Sequence, residues 1–442
     1  MTNSLKLGIA GVFLFQLIIA ASFGLSHDEA YYWLFSRHLD WGYFDHPPFM
    51  AVTIALFSFF PHGEFAVRAG FVALQAGTVF FLFQMIDRKY WTTAFLLFFS
   101  FPLASYTGLL ALPDMPLLFM TSVYFYFLRK YLAGEKSGIF GLIIAIPLLL
   151  YAKYHGILLI FFTILSLPRL LLRKDFWLIA ICSVLLFAPH LWWQYEHEFA
   201  TLRYHFLERP SSSFSIQRVL DYLGTQIILT ALLCGPVIWW QLAKYKARDE
   251  FTRVLVFTSW GIVAFFLVST ISKKVEANWT ISLAIPLTVL LADCEIWKRS
   301  WAKALLAASF TIAIIARLVF VFPSLPMKRL AEFHGWKEWA QEVKGKCGDR
   351  KILANSYQIA SKLSFYLNTE ISALNYHSRK NQFDLWKWNP TGVVCYVTDK
   401  AEFQGEEIKT PDQKTQKLVL NMKGEDLLAK KLESLNQKTD KP

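Results

Sequence analysis

The sequence predicts an α-helical polytopic membrane protein of about eleven transmembrane helices, followed by a small C-terminal α/β domain. Three observations predict this class. Apolar runs of roughly 15–22 residues recur between positions 7 and 322, close to the length that crosses a bilayer. The 442-residue chain is 55% hydrophobic and only 18% charged, whereas a soluble chain of this length breaks such runs with polar faces. Beyond residue 322 the runs stop, and residues 324–442 hold 20 Lys and Arg with 15 Asp and Glu. The chain therefore divides into a membrane part, 1–322, and a soluble part, 323–442.

The predicted spans are 7–25, 65–86, 91–112, 115–128, 138–152, 156–168, 176–193, 219–243, 254–271, 279–295 and 304–322. The first resembles a signal peptide, but its apolar run is longer than a usual signal core and further spans follow, which predicts an uncleaved helix. Residues 49–60, after Pro47-Pro48, are apolar but cover only about 18 Å as a helix, against about 30 Å of hydrocarbon. They are read as a helix lying along the surface or buried in the bundle. Charge supports that choice. With eleven spans the loops on the Lys6 side carry 16 Lys and Arg and the opposite loops carry 7, as the positive-inside rule requires. Residues 26–64, 194–218 and 272–278 and the C-terminal domain then lie outside.

The formal net charge of +12 follows from the same bias, so no nucleic-acid partner is implied. No zinc-type cysteine spacing, Walker loop or GxGxxG is present. Cys182, Cys234 and Cys294 lie in or at the edge of apolar runs and read as packing residues. Cys347 and Cys395 would pair if the C-terminal domain faces an oxidising compartment. In that domain, 332–343 and 359–367 read as helices and 351–354, 371–374, 392–397 and 418–420 as strands, with a lysine-rich, frayed end after Gly424.

Residues 26–48 are the most motif-dense polar stretch of the membrane part. Ser26-His27-Asp28-Glu29 is a capping box, and capping alone would explain Glu29. Asp28 is not so explained. Tyr31 and Tyr32 follow within one turn, and a carboxylate beside aromatic rings suits a sugar whose hydroxyl must be oriented or deprotonated. Asp45, in GYFDHPP, is a second carboxylate, held extended by the prolines. Asp114, between Pro113 and the Met115-Pro116 pair, reads either as a turn residue or as a third acid at the same face. Lys153 reads either as a snorkelling lysine or as a cation for phosphate. Lys273 and Lys274 face lipid headgroups or a leaving phosphate. Arg203 and His205 are further headgroup candidates, and His190, on an apolar run, reads as a hydrogen-bonded core histidine.

These residues resemble a known family. The order of a span, DEAYYW, GYFDHPP and an apolar surface helix is similar to the first outer loop of bacterial C-type (GT-C) glycosyltransferases. That superfamily includes lipid A 4-amino-4-deoxy-L-arabinose transferase and the protein O-mannosyltransferases. The resemblance extends through Pro113-Asp114-Met115-Pro116, Lys153-Tyr154-His155-Gly156, His197-Glu198-Phe199 and Ser272-Lys273-Lys274. In the tail, GWKEW, SYQIASKLSFYL and NQFDLW resemble the outer domain of some members.

The resemblance implies a GT-C-like bundle with juxtamembrane helices in its outer loop. It also implies a polyprenyl (undecaprenyl) phosphate sugar donor and an inverting displacement at the outer, periplasmic face of the inner membrane. The acceptor would be lipid A, another glycolipid or glycan, or protein. Asp28 and Asp45 would be the catalytic pair. Glu29, Tyr32, His46, Asp114, Lys153, Arg203, His205, Lys273 and Lys274 would surround the substrates. No cofactor or obligate metal is implied. Members nearest the aminoarabinose transferase commonly carry Lys after the second acid, where this chain has His46, so the donor sugar is left open. The main rival is a lipid or sugar transporter, which predicts charges spread through the bilayer depth and paired broken helices in two repeats. The other is an assembly protein indifferent to Asp28, Asp45 and Lys153.

Overall fold

The apolar runs become helices in register with the sequence reading. In the computed structural model, which describes residues 3–203, 213–322, 328–386 and 391–439, the first are α1 (Asn3–Ala20), α2 (His27–Arg37), α3 (Phe49–Leu56) and α4 (Glu64–Met85). Next come α5 (Trp91–Ser100), α6 (Pro102–Tyr106), α7 (Asp114–Leu132), α8 (Lys136–Ala152), α9 (Gly156–Ser166) and α10 (Lys174–Glu196). The short α11 (Ala200–Arg203) precedes α12 (Ile216–Leu229), α13 (Gly235–Lys244), α14 (Glu250–Ser269), α15 (Ala284–Leu291) and α16 (Ser300–Ile315).

By length and composition, α1, α4, α10, α14 and the stretch 300–320 can each cross a membrane. The chain is therefore a multi-pass membrane protein. On α10 the exposed residues Trp177, Ile181, Val184, Leu185 and Trp192 fall on one helical stripe, the side that lipid covers. Two further expected spans are bent rather than straight, by 91° within 88–109 and by 113° within 216–244. Pro102 opens α6 after the extended Phe101, and proline cannot continue the preceding ladder. Between α12 and α13 the chain passes through left-handed Ala231 and Leu232, at φ 58° and 50°. Counting each bent pair as one span gives seven. The other four expected spans are α7, α8, α9 and the helical stretch 277–291, which are shorter or carry charge at their ends. The count of eleven is thus not reached on helix length alone. α3 has only 8 residues, too few to span, and buries Met50, Ala51, Thr53 and Ile54 while Leu56 stays exposed.

The C-terminal part holds α17 (Trp336–Cys347), β1 (Lys351–Ala354), α18 (Tyr357–Leu367), α19 (Gln382–Leu385), β2 (Val393–Thr398), β3 (Glu406–Lys409), β4 (Thr415–Lys423) and α20 (Gly424–Thr439). The strands form one sheet in the order β1-β2-β4-β3, parallel between β1 and β2 and antiparallel elsewhere. Alternation sends Ile352, Cys395, Val397 and Leu418 to the same buried cluster as α17 and α18, and Leu353, Val394, Tyr396 and Val419 to the opposite one with Leu427. After Gly424, where a frayed end was expected, the described residues continue as a helix through Thr439, and fully buried Leu427 anchors its start on the sheet. The expected strand at 371–374 is reduced to a single bridge between Ala354 and Ala373, while β3 was not foreseen because EEIK offers one buried residue, Ile408.

Cys347, at the end of α17, is bonded to Cys395 in β2, 48 residues away. Closing a loop of that length predicts about 2–4 kcal/mol of stabilisation. Reduction, or Cys347→Ser with Cys395→Ser, should lower the melting temperature of the C-terminal domain in a thermal scan.

This domain is locked onto the membrane part. α18 packs against α2. Phe44 N–H donates to the Gln382 side-chain oxygen at 2.7 Å, and the Gln382 N–H donates to the Tyr31 hydroxyl at 2.7 Å. Lys362 reaches the carbonyl oxygens of Leu25 and Glu332. One hydrophobic cluster runs without interruption from the bundle through Tyr31 and Phe35 to Phe383 and Leu363.

Candidate active site

The site is built on α2, and α2 is placed by its cap. Ser26 Oγ accepts from the Glu29 N–H at 3.1 Å, and Glu29 Oε2 accepts from the Ser26 N–H at 2.8 Å, completing the expected capping box. Glu29 does more. Its carboxylate takes both Nε and Nη2 of Arg68, at 2.7 and 2.8 Å, and the Ala111 N–H at 2.9 Å. Arg68 in turn donates to the carbonyl oxygens of Ala20, Phe23 and Gly24. Both side chains are fully buried. Burial alone would push the Glu29 carboxyl up, but Arg68 and the two backbone donors hold it below the usual carboxylate range. Glu29 is therefore withdrawn from the substrate-facing set. It fastens the end of α1, the start of α2, α4 and the loop at Ala111 together.

With the helix so fixed, Asp28 beside it stays exposed to solvent, although protein packs densely around it. Crowding, together with the like charges of Glu332 and Asp45, pushes its carboxyl up to about 6, against the opposing influence of Arg379 and a hydrogen bond from Tyr357. Asp45 is buried, accepting from the Tyr31 hydroxyl at 3.1 Å on one oxygen and from Arg379 Nη2 at 3.0 Å on the other. Burial raises its pKa, with Arg379 and Tyr31 opposing.

Tyr32 is buried beside these acids: its hydroxyl feels the charges of Asp28, Asp45 and Asp114, and its ring meets that of His46 edge-on at 5.6 Å. Asp114 opens α7 and binds Lys153 Nζ at 2.8 Å, while Asn278 donates to both its oxygens at 3.1 Å. Acid and lysine are both buried, 4% and 5% exposed, so the two expected ligands are first of all partners of each other.

The structure thus brings together Asp28, Tyr32, Asp45, His46, Asp114 and Lys153. Arg203 and Lys274 instead make local pairs with Glu198 and Glu276 on exposed segments, and Lys273 is half-buried beside Lys274. His205 lies outside the described residues. His190 is the hydrogen-bonded core histidine expected, between the Trp41 carbonyl and the Tyr154 hydroxyl. Sequence reasoning missed Arg68, Glu332, Tyr357, Arg379 and Asn278. All five meet their site partners from more than 30 residues away, and only the SYQIASKLSFYL and NQFDLW motifs hinted that the tail belongs to it.

Comparison with known proteins bears on the fold around these residues. A family model described as dolichyl-phosphate-mannose-protein mannosyltransferase matches residues 45–193. Lipid A galacturonosyltransferase RgtD of Rhizobium johnstonii is 24% identical over 326 residues, which cover 67% of this chain and 66% of that relative, just under two thirds of its length. The fold is similar to the crystal structure of ArnT from Cupriavidus metallidurans bound to undecaprenyl phosphate, at a TM-score of 0.70 and 15% identity over 96% of this chain and 98% of that one. The apo structure of the same protein matches equally, at 0.70 and 14% identity.

Proposed function

We propose that this chain is an inverting glycosyltransferase that moves a sugar from a polyprenyl-phosphate donor to an envelope acceptor such as lipid A, another glycolipid or protein. The observation that carries the proposal is the pairing of exposed Asp28 with the buried, Arg379-held Asp45 on a fold similar to that of ArnT. Two acids in different environments take different roles. None of the proteins reported above is a transporter, and the buried charged residues Glu29, Asp45, Arg68, Asp114, Lys153 and Arg317 sit at or near helix ends rather than through the depth of the bundle.

The acceptor oxygen attacks the anomeric carbon from the side opposite the phosphate. The new C–O bond forms as the bond to the phosphate oxygen breaks, and the electron pair leaves with the polyprenyl phosphate. If the acceptor is a hydroxyl, its proton passes to Asp28, whose pKa near the working pH suits a general base. If the acceptor is a phosphate it is already a nucleophile, and Asp28 then orients it. The ionised acids also stabilise positive charge on the sugar ring in an oxocarbenium-like transition state. Lys153 holds three N–H donors, so it contacts the donor phosphate while keeping Asp114.

The chain divides at 322/323, and both the site and the C-terminal domain lie on the outer, periplasmic side of the inner membrane. The charge bias of the loops and the Cys347–Cys395 disulfide, a bond of oxidising compartments, support this placement. The test is mass spectrometry of envelope lipids and glycoproteins with and without the protein. A single missing hexose, uronic acid or pentosamine mass on one acceptor class is expected. Identical profiles on all classes would contradict the proposal.

A further inference from the structure

The acid pair is completed from the far end of the sequence. The segment between Leu374 and α19 is braced by two asparagines that hold each other: Asn375 Nδ2 donates to Asn381 Oδ1 at 3.0 Å, and Asn381 Nδ2 to Asn375 Oδ1 at 2.9 Å. Asn375 and the Asn381 N–H both bind Asp384, which Lys431 of α20 holds at 2.8 Å. Asn381 Nδ2 also donates to the Arg379 carbonyl oxygen at 3.2 Å. Asn375 and His377 adopt left-handed φ of 56° and 51°, a conformation that needs such bracing. The product of this construction is the position of one side chain. Arg379, half-exposed, lays its guanidinium against the nearly buried Asp45 and 5.9 Å from the Tyr357 ring. Tyr357 is the residue that hydrogen-bonds Asp28.

We propose that Arg379, delivered by the C-terminal domain, is a positioning residue of the transfer reaction: it fixes the Asp45 carboxylate and keeps both acids of the pair ionised beside the substrate. This inference rests on the glycosyltransferase reading given above. The groups facing Asp28 are Glu332, Asp45, Arg379 and Tyr357, and those facing Asp45 are Arg379 and Tyr31, with the Tyr32 hydroxyl close to both acids. Among these the guanidinium is the cation. Burial and like charge favour neutral acids, and the arginine opposes both. The C-terminal domain is then part of the active site rather than an appended module, and its rigid link to α2 sets the geometry of the chemistry.

The experiment measures transfer from a polyprenyl-phosphate sugar against pH for the full-length protein in lipid nanodiscs, as wild type, Arg379→Ala and Arg379→Lys. Arg379→Ala should lower kcat by about 30-fold or more while the donor KM changes less than about threefold. The acidic limb of the profile, set in the wild type by a group near 6, should move up by about one pH unit. Arg379→Lys keeps the charge without the fork, and should recover to within about tenfold of wild type with the limb returned. In an Asp45→Asn background, removing Arg379 should cost less than about threefold above the acidic limb, because the contact with Asp45 is already lost and only the influence on Asp28 remains. Wild-type kcat and profile in Arg379→Ala would overturn the proposal and leave the glycosyltransferase reading intact. If Arg379→Ala does not fold, Arg379→Lys decides, a KM-only effect with an unmoved limb overturning the proposal. A wild-type protein inert toward every polyprenyl-phosphate sugar would overturn both.

Discussion

Asp28→Asn should lower sugar transfer by about 10²- to 10⁴-fold, the range a positioned general base contributes, while making the protein more stable at neutral pH. The two effects have one cause. The Asp28 carboxyl titrates near 6 in the folded protein, well above its ordinary value of 3.8. Between those values the folded state binds more protons than the unfolded chain, so stability falls as pH rises through that window and stays lower above it. Asparagine fills the same space without a charge. The melting temperature of Asp28→Asn should therefore exceed that of the wild type at pH 7.5, and the difference should shrink as the pH approaches 4. A variant that loses activity because it is poorly folded would show the opposite sign. Asp28→Asn with undiminished transfer would remove the residue from the mechanism, unless the acceptor is a phosphate.

The largest loss of stability is expected at Arg68. Its guanidinium and the Glu29 carboxylate are both fully buried and bind each other through two hydrogen bonds. Arg68→Met leaves that carboxylate uncompensated and also strips the donors from the carbonyl oxygens of Ala20, Phe23 and Gly24. Breaking a buried pair from one side costs about 3–5 kcal/mol, a large part of the 5–15 kcal/mol that holds a typical domain together. The variant should therefore fail to accumulate as a monodisperse peak in fluorescence-detected gel filtration. Arg68→Met combined with Glu29→Gln removes both charges and should recover part of the yield. A single Arg68→Met variant that melts within about 2 °C of wild type would show that the pair does not carry the junction.

How much of this was legible in the sequence depends on how local the cause is. Hydrophobic runs and loop charges are local, and they located the bundle, the short helix at 49–60 and the soluble end. The capping box is local too, and Ser26 and Glu29 adopt it as read. What was not legible is what depends on helices meeting. Arg68 lies inside an apolar run and reads as an isolated oddity until Glu29 arrives from 39 positions earlier. The buried Lys153 satisfies Asp114, which no spacing rule connects to it. Straight spans at 91–112 and 219–243 were expected because hydropathy registers length but not a bend, although Pro102 was a visible warning. Arg379 is the clearest case: in a lysine- and arginine-rich tail nothing distinguishes it until the asparagine clamp sets it against Asp45.

Whether bonds are broken and made beside Asp28 and Asp45 is measured most directly with purified protein in lipid vesicles, a donor labelled in its sugar and a lipid acceptor, followed by magnetic resonance of the anomeric centre in the product. Label should appear on the acceptor with inverted anomeric configuration, one polyprenyl phosphate should be released per sugar moved, and Asp28→Asn should give about 10²- to 10⁴-fold less product when the acceptor is a hydroxyl. Label that crosses the bilayer still attached to its donor, with no transfer, would contradict this.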